Sequence, residues 1–196
     1  MPPILYLASR LVRSGVAVMA IDYRMIFRGG RLEEATDDVR AAFSFWTART
    51  ARYGLDPSRV SLVGLSAGAT LSMLVAASLD DGAVHRLACG FGLYELDHLH
   101  GPLAGVVPRL LFRTPDRARW SERSPRGGAQ PKIPTLLLHG TEDGLVPVEH
   151  ARRLAAHRES LGLETKLVIY PGAPHGFFNT KTFADAGGTE IIDHVR

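Results

Sequence analysis

The sequence predicts an α/β fold, a mostly parallel sheet flanked by helices, on three observations. Apolar runs that suit strands alternate along the chain with stretches of helical period, the spacing of βαβ units. One of those runs, residues 16–21, is apolar throughout, as in a strand covered on both faces. The 196 residues, 45% hydrophobic and 22% charged, suffice for one domain, 1–196, with a buried core.

Each element follows from local pattern. Ile4, Leu5, Leu7, Ala8, Leu11 and Val12 recur at helical spacing behind Pro2-Pro3, with Gly15 just past the end, so the chain opens on an amphipathic helix. Residues 16–21, bounded by Gly15 and Asp22, read as the first strand. A helix over 32–53 follows, with Ala35, Val39, Ala42, Phe43 and Trp46 on one stripe and Gly54 as its stop. Asp56-Pro57-Ser58 turns the chain into a strand at 60–63, and an Ala/Leu-rich helix covers 67–79. A strand over 87–93 contains two glycines. Residues 94–132 are rich in Gly, Pro, Arg and His without a clear period, and so long an irregular stretch in a compact domain is usually functional or mobile. A strand at 135–139, a helix at 147–161 ended by Gly162 and a strand at 166–170 come next. Ile191, Ile192 and Val195 suggest a closing helix.

Composition narrows the function classes. The net charge of +3 and pI near 9.3 come from arginines spread along the chain, among them Arg109, Arg113, Arg117, Arg119, Arg123 and Arg126. No compact basic run is interleaved with aromatics, which argues against a nucleic-acid surface. The single cysteine, Cys89, excludes an internal disulfide and, in an apolar stretch, reads as a small core residue. Met1-Pro2-Pro3 carries no basic side chain and the apolar stretch behind it is broken by Arg10 and Arg13, unlike a secretory signal. No stretch is long enough to span a bilayer, so a cytoplasmic protein is expected. Asp97-His98-Leu99-His100 imitates a metal pair, yet no complementary Cys or His cluster has ligand spacing, and no metal site is expected.

The chemistry concentrates in three loops. Gly64-Leu65-Ser66-Ala67-Gly68 sets a serine between two glycines where a strand turns sharply into a helix, the G-x-S-x-G pattern. Such a turn needs backbone angles that a Cβ opposes, and close strand–helix packing on either side. A serine hydroxyl is a weak nucleophile, so Ser66 needs a base to take its proton and a carboxylate to orient that base. Asp143 lies just beyond the 135–139 strand, in His139-Gly140-Thr141-Glu142-Asp143-Gly144, and His175 beyond the 166–170 strand, in Pro171-Gly172-Ala173-Pro174-His175-Gly176-Phe177-Phe178. All three follow the C-terminal ends of strands, the edge where open α/β sheets gather their active sites. Glu142 is the rival acid, its other reading a solvated loop charge. His139 reads as a turn or packing residue, and His85, His150, His157 and His194 as surface residues. Phe43 and Trp46 belong to a core stripe, whereas Phe177 and Phe178 either wall an acyl pocket or simply pack.

Together with Asp22-Tyr23-Arg24, with Tyr53-Gly54-Leu55-Asp56-Pro57-Ser58-Arg59-Val60, and with Ser124-Pro125 ahead of Pro134-Thr135-Leu136-Leu137-Leu138-His139-Gly140, these motifs cover nearly the whole chain. In them the chain resembles the α/β-hydrolase fold serine esterases and lipases, of the hormone-sensitive-lipase-like or related carboxylesterase and dienelactone-hydrolase-like branches, whose chain order is also Ser, Asp, His. The resemblance implies Ser66 as nucleophile, His175 as general base and then acid, Asp143 as the residue fixing the histidine tautomer, and the Ala67 N–H as one oxyanion donor. It implies an acyl-enzyme route on a small-molecule ester, with no cofactor. A peptidase or an acyltransferase on the same triad stays open, because the fold hosts many chemistries. Residues 94–132 fall where the family carries a lid or cap, and Leu103, Val106, Val107, Leu110, Leu111 and Phe112 either line an acyl pocket or pack as a short helix.

The chain also departs from that family. A His-Gly-Gly-Gly type motif, whose N–H groups complete the family's oxyanion hole, is missing, and Gly29-Gly30 lacks both the histidine and the preceding apolar strand. The opening helix matches the family's first helix, which follows that loop. The fold is therefore expected to lack the first strands and the central third strand, which would lie between 16–21 and 60–63, so that the sheet either closes up or stays partly open there. Losing one oxyanion donor costs roughly a hundred- to a thousandfold in rate. Weak or absent turnover is expected of the chain by itself, and the competing class is a non-catalytic binding module or inactive fragment. The sequence specifies no oligomeric state.

Overall fold

The computed structural model describes residues 3–25, 28–97, 106, 109–110, 113 and 115–196. Helix α1 spans Pro3–Arg13 and buries Leu7 and Leu11 while Ile4, Leu5 and Val12 stay exposed. Helix α2 covers Leu32–Thr47 and buries Leu32, Ala35, Val39 and Phe43. It is shorter than the 32–53 pattern predicts: beyond Thr47 the chain tightens into a 3-10 turn over Thr50–Tyr53, stopped by Gly54 in the left-handed conformation. Trp46 and Tyr53 stack across the break with ring centroids 5.9 Å apart.

The sheet consists of β1 (Leu62–Leu65), β2 (Leu87–Gly90), β3 (Thr135–Glu142) and β4 (Thr165–Pro174), in that order and all parallel. Helices α3 (Ala67–Ser78), α4 (Arg117–Glu122), α5 (Glu149–Ser160) and α6 (Lys181–Val195) complete the framework. β3 and β4 outrun the predicted 135–139 and 166–170 because their pairing resumes past an irregularity between Gly140 and Glu142. The strand period of two divides the core. Ala88, Leu136 and Leu138 face α1 and α6, joining Leu7, Leu11, Ile191 and Val195. Leu87, Cys89 and Leu137 face the other way, onto Met73 of α3 and Leu154 of α5.

A polar pin holds the entry to this sheet. Arg158 of α5 is fully buried and donates to the carbonyls of Pro131 and Ile133 and to the Thr165 hydroxyl, each at 3.0 Å. Burial pulls its guanidinium down to about 10, and the carbonyl ring satisfies its N–H groups in place of water.

Residues 16–21 are not a strand. They connect α1 to α2 without a sheet partner; Val16 and Val18 pack half-buried on the core, while Ala17, Ala20 and Ile21 are exposed. β1 is the last strand on that side. The backbones of Val60, Leu62 and Ser66 bond toward β2 and its flanks, so those of Ser61, Val63 and Leu65 point the other way. A cleft of about 1040 Å³ separates the two segments, walled by Val16, Val18, Val63 and Leu65 with Leu11 and Phe43 among its lining. Of the two outcomes predicted for the sheet, the open one holds: apolar sequence disposes a segment to strand, but a ladder requires a neighbour at about 4.8 Å.

Candidate active site

Ser66 occupies the turn between β1 and α3 with φ 53 and ψ −121, angles that cost a residue bearing a Cβ about 1–3 kcal/mol. The turn is held on both sides: the Ser66 N–H donates to Gly90 O at 2.8 Å, and Ser66 O accepts from the N–H groups of Ala69 and Thr70. The two glycines of the motif differ in need. A Cβ on Gly64 would sit 2.2 Å from Gly68 O and 2.6 Å from Ala69 N, because the strand backbone passes directly against the first turn of α3. At Gly68 a Cβ would meet nothing within 4 Å, so close packing explains the first glycine and not the second. Ala67 is the first residue of α3, and its N–H has no acceptor within the helix.

Asp143 and His175 come off the C-terminal ends of neighbouring strands. Parallel pairing of β3 and β4 alone sets those ends side by side. Their loops are tied where the Gly172 N–H donates to Thr141 Oγ1 at 2.9 Å, and they cross so closely that a Cβ on Gly140 would lie 2.0 Å from Ala173 O. Asp143 Oδ1 accepts the N–H groups of Leu145 and Val146 at 3.0 and 2.7 Å. Its Oδ2 lies 2.7 Å from His175 Nδ1, and His175 Nε2 lies 3.0 Å from Ser66 Oγ.

The protons follow from these contacts. An ionised carboxylate only accepts, so the His175 proton sits on Nδ1, and the Nε2 lone pair faces the serine hydroxyl. Burial pushes the Asp143 carboxyl up, but donors from His139, His175 and the Val146 N–H outweigh it and hold the group well below the usual carboxylate range. The Asp143 side chain is fully buried and that of His175 is 21% exposed. The arrangement can take a proton from Ser66 Oγ onto His175 and stabilise the imidazolium against a buried charge. Glu142, the other acid of the loop, is exposed at the end of β3 and stands opposite Pro174.

Three features of the site are invisible to local pattern. Phe91, φ 41, follows β2 and sets its ring edge-on to His175, centroids 5.2 Å apart, as part of an aromatic cluster with Phe177 and Phe178. Both of those phenylalanines are buried in the core, and Phe178 also lines the cleft beside β1. His150, expected at the surface, is fully buried, its Nδ1 accepting from the N–H groups of Tyr94 and Glu95 at 3.3 Å. His139, expected in packing, is fully buried against Asp143.

Cys89 is buried in the core as expected, and burial pushes its thiol up to about 12. Within 94–132, residues 98–105, 107–108, 111–112 and 114 lie outside the described residues. With them go His98, Leu99 and His100, and also Leu103, Val107, Leu111 and Phe112 of the expected acyl pocket. Val106 and Leu110 are exposed, whereas Tyr94, Leu96 and Trp120 are buried in the domain core. Among the described residues no helix is long and apolar enough to cross a membrane, and no cluster of three or more His, Cys, Asp or Glu could hold a metal ion.

Comparison with known proteins gives two partial family matches. The BD-FAE family matches residues 4–91 and the prolyl oligopeptidase family residues 107–186. The chain is 26% identical to a probable isoprenylcysteine α-carbonyl methylesterase of Arabidopsis thaliana, over 86% of this chain and 40% of that protein. It is 28% identical to the esterase LipC of Mycobacterium tuberculosis, over 86% of this chain and 47% of that one. The chain thus spans about half or less of the curated relatives it matches. Among solved structures, an acetyl ester-xyloside bifunctional hydrolase from Caldicellulosiruptor lactoaceticus superimposes with a TM-score of 0.84 at 18% identity, over 96% of this chain and 74% of that one. The thermostable carboxylesterase EstE1 from a metagenomic library gives 0.79 at 21%, over 97% and 74%.

Proposed function

We propose, from the premise that this chain is an α/β-hydrolase-fold protein related to serine esterases, that it belongs to a carboxylic ester hydrolase acting through an acyl-enzyme on Ser66. One observation carries the reading: the hydrogen-bonded chain from Ser66 Oγ through His175 to the buried carboxylate of Asp143, at 3.0 and 2.7 Å. In the first step Ser66 Oγ bonds to the acyl carbon of a small-molecule ester as its proton passes to His175 Nε2. The resulting imidazolium returns that proton to the alcohol as the C–O bond breaks. Water then bonds to the acyl carbon of the acyl-serine, giving a proton to His175, which passes it to Ser66 Oγ as the acyl C–Oγ bond breaks and the carboxylic acid leaves. Asp143 holds His175 by its Nδ1–H throughout, fixing the tautomer of the neutral ring and facing the positive charge of the imidazolium, and the Ala67 N–H faces the developing oxyanion.

The match to the prolyl oligopeptidase family over residues 107–186 favours a second reading, amide hydrolysis on the same triad. A fluorophosphonate probe followed by peptide mass analysis tests the common core, because phosphonylation needs only an activated serine. Labelling at Ser66, abolished in Ser66→Ala and His175→Ala, is expected; a folded protein that resists the probe sinks the triad. Initial rates on p-nitrophenyl acetate against peptidyl p-nitroanilides then separate ester from amide hydrolysis. Faster anilide cleavage overturns the esterase reading.

A further inference from the structure

We propose that His139 is a positioning residue for Asp143, donating from Nε2 to the same carboxylate oxygen that receives His175. The inference rests on the triad reading above and adds a member to its support. His139 lies on β3, paired with Ile169, four residues before the acid. Its side chain is fully buried, as is that of Asp143. Nε2 lies 2.9 Å from Val146 O and 3.2 Å from Asp143 Oδ2.

These contacts decide the tautomer. Both neighbours of Nε2 are acceptors, and a lone pair directed at two oxygens would be repelled by both. The single proton of the neutral ring therefore sits on Nε2, shared between them. Nδ1 has no hydrogen-bond partner among the described residues, which leaves a bare lone pair rather than a bare N–H.

The consequence is a closed loop of hydrogen bonds. The Val146 N–H donates to Asp143 Oδ1 at 2.7 Å, while the carbonyl of Val146 accepts from His139. His139 thereby ties together the far end of the 143–146 turn and the carboxylate at its start. Asp143 receives two backbone N–H groups on one oxygen and two imidazole N–H groups on the other. Without His139, Oδ2 keeps a single donor, and the Val146 carbonyl loses the imidazole that ties it to β3. His175 reaches Ser66 from that carboxylate, so a small rotation of Asp143 is passed on to the Nε2–Oγ contact. Placement errors of this kind cost reactivity steeply.

His139→Leu removes the donor; His139→Gln keeps an N–H at similar reach. In the first, the rate of Ser66 phosphonylation by a fluorophosphonate is expected to fall about tenfold to a hundredfold. KM for p-nitrophenyl acetate should stay within about twofold, since no substrate contact is lost. The glutamine variant should recover to within about threefold of the parent. The His175 Nδ1–H proton, observed by NMR without any turnover, should keep its far-downfield position in the parent and the glutamine variant and move upfield in the leucine variant. If the leucine variant does not fold, His139→Asn, whose amide stops short of Asp143, is expected to show the same loss. A folded donor-free variant with parental labelling rate and an unmoved His175 resonance overturns the proposal, as does a glutamine variant no faster than the leucine one. Failure of the parent itself to label Ser66 counts against the triad reading, and the His175 resonance then decides the role of His139 alone.

Discussion

Replacing Asp143 with asparagine removes one acceptor from a position that faces four donors. The carboxylate takes N–H groups from Leu145 and Val146 on Oδ1 and from His175 on Oδ2, and His139 Nε2, proposed above as the fourth donor, lies 3.2 Å from the same Oδ2. An amide has one oxygen and one NH2, so half of this array must face another donor. Turning the NH2 toward Leu145 and Val146 strands two buried backbone N–H groups, at about 1–3 kcal/mol each. Turning it toward His175 can be relieved more cheaply, because that ring is partly exposed and can move its proton from Nδ1 to Nε2. The cheaper choice takes the lone pair away from Ser66. Wrong-tautomer substitutions in serine triads lower turnover about 10⁴-fold, or about 5.4 kcal/mol at about 1.36 kcal/mol per decade. The expected result is a folded Asp143→Asn variant whose Ser66 reacts with a fluorophosphonate about 10⁴-fold more slowly than the parent. Intact-mass kinetics read this directly, with far-UV circular dichroism as the folding control. Glu142→Gln, altering the exposed neighbour, should stay within about twofold. A folded Asp143→Asn protein that labels within tenfold of the parent refutes the tautomer argument.

Three further outcomes follow from the same contacts. Gly64→Ala, whose Cβ would lie 2.2 Å from a backbone oxygen, should cost about 3 kcal/mol or more in urea unfolding, while Gly68→Ala should be neutral or stabilising by up to about 1 kcal/mol; equal effects would contradict the packing described. Arg158→Met leaves the buried Pro131 carbonyl without this donor and removes one donor each from the half-buried Ile133 carbonyl and Thr165 hydroxyl, and should lower the unfolding free energy by about 1–3 kcal/mol, a loss below about 1 kcal/mol counting against its role as a pin. Asp143 has a folded-state pKa below its unfolded value of about 3.9, so the folded state binds fewer protons and the stabilisation is full above about pH 5 and shrinks as pH falls. The stability gap between the parent and Asp143→Asn should therefore narrow from pH 6 to pH 3 in denaturant titrations, and a constant gap contradicts the shift.

Much of the architecture was legible because it is local. The helical stripes of α1 and α2, the apolar runs of β3 and β4 and the turn at Ser66 are each written in a dozen residues or fewer, and their period or punctuation is sufficient. The positions of Ser66, Asp143 and His175 after β1, β3 and β4 could be read for the same reason, since each loop directly follows its strand. Glu142 and Asp143 could not be separated that way. They are adjacent in sequence, and the choice between them lies in the direction each side chain leaves the end of β3, one into solvent and one toward His175.

Residues whose role depends on a neighbour far along the chain were misread or missed. His150 looks like any histidine on a polar helix, yet the backbone of Tyr94 and Glu95, over fifty residues away, folds onto it. Phe91 carries no motif at all, and it meets His175 because β2 lies beneath the path from β4 to Ser66.

By itself the sequence determined the alternation of elements, the sharp turn at Ser66 and the loops that hold the acid and the base, all of them consequences of short-range backbone preference and apolar period. Only the tertiary structure decided that residues 16–21 remain unpaired beside a cleft, that Gly64 rather than Gly68 is sterically required, and that His139 is bound to Asp143. Each of these depends on distances between backbones that are remote in sequence or brought together by a turn, and such distances are set by which strands become neighbours and how closely they pack.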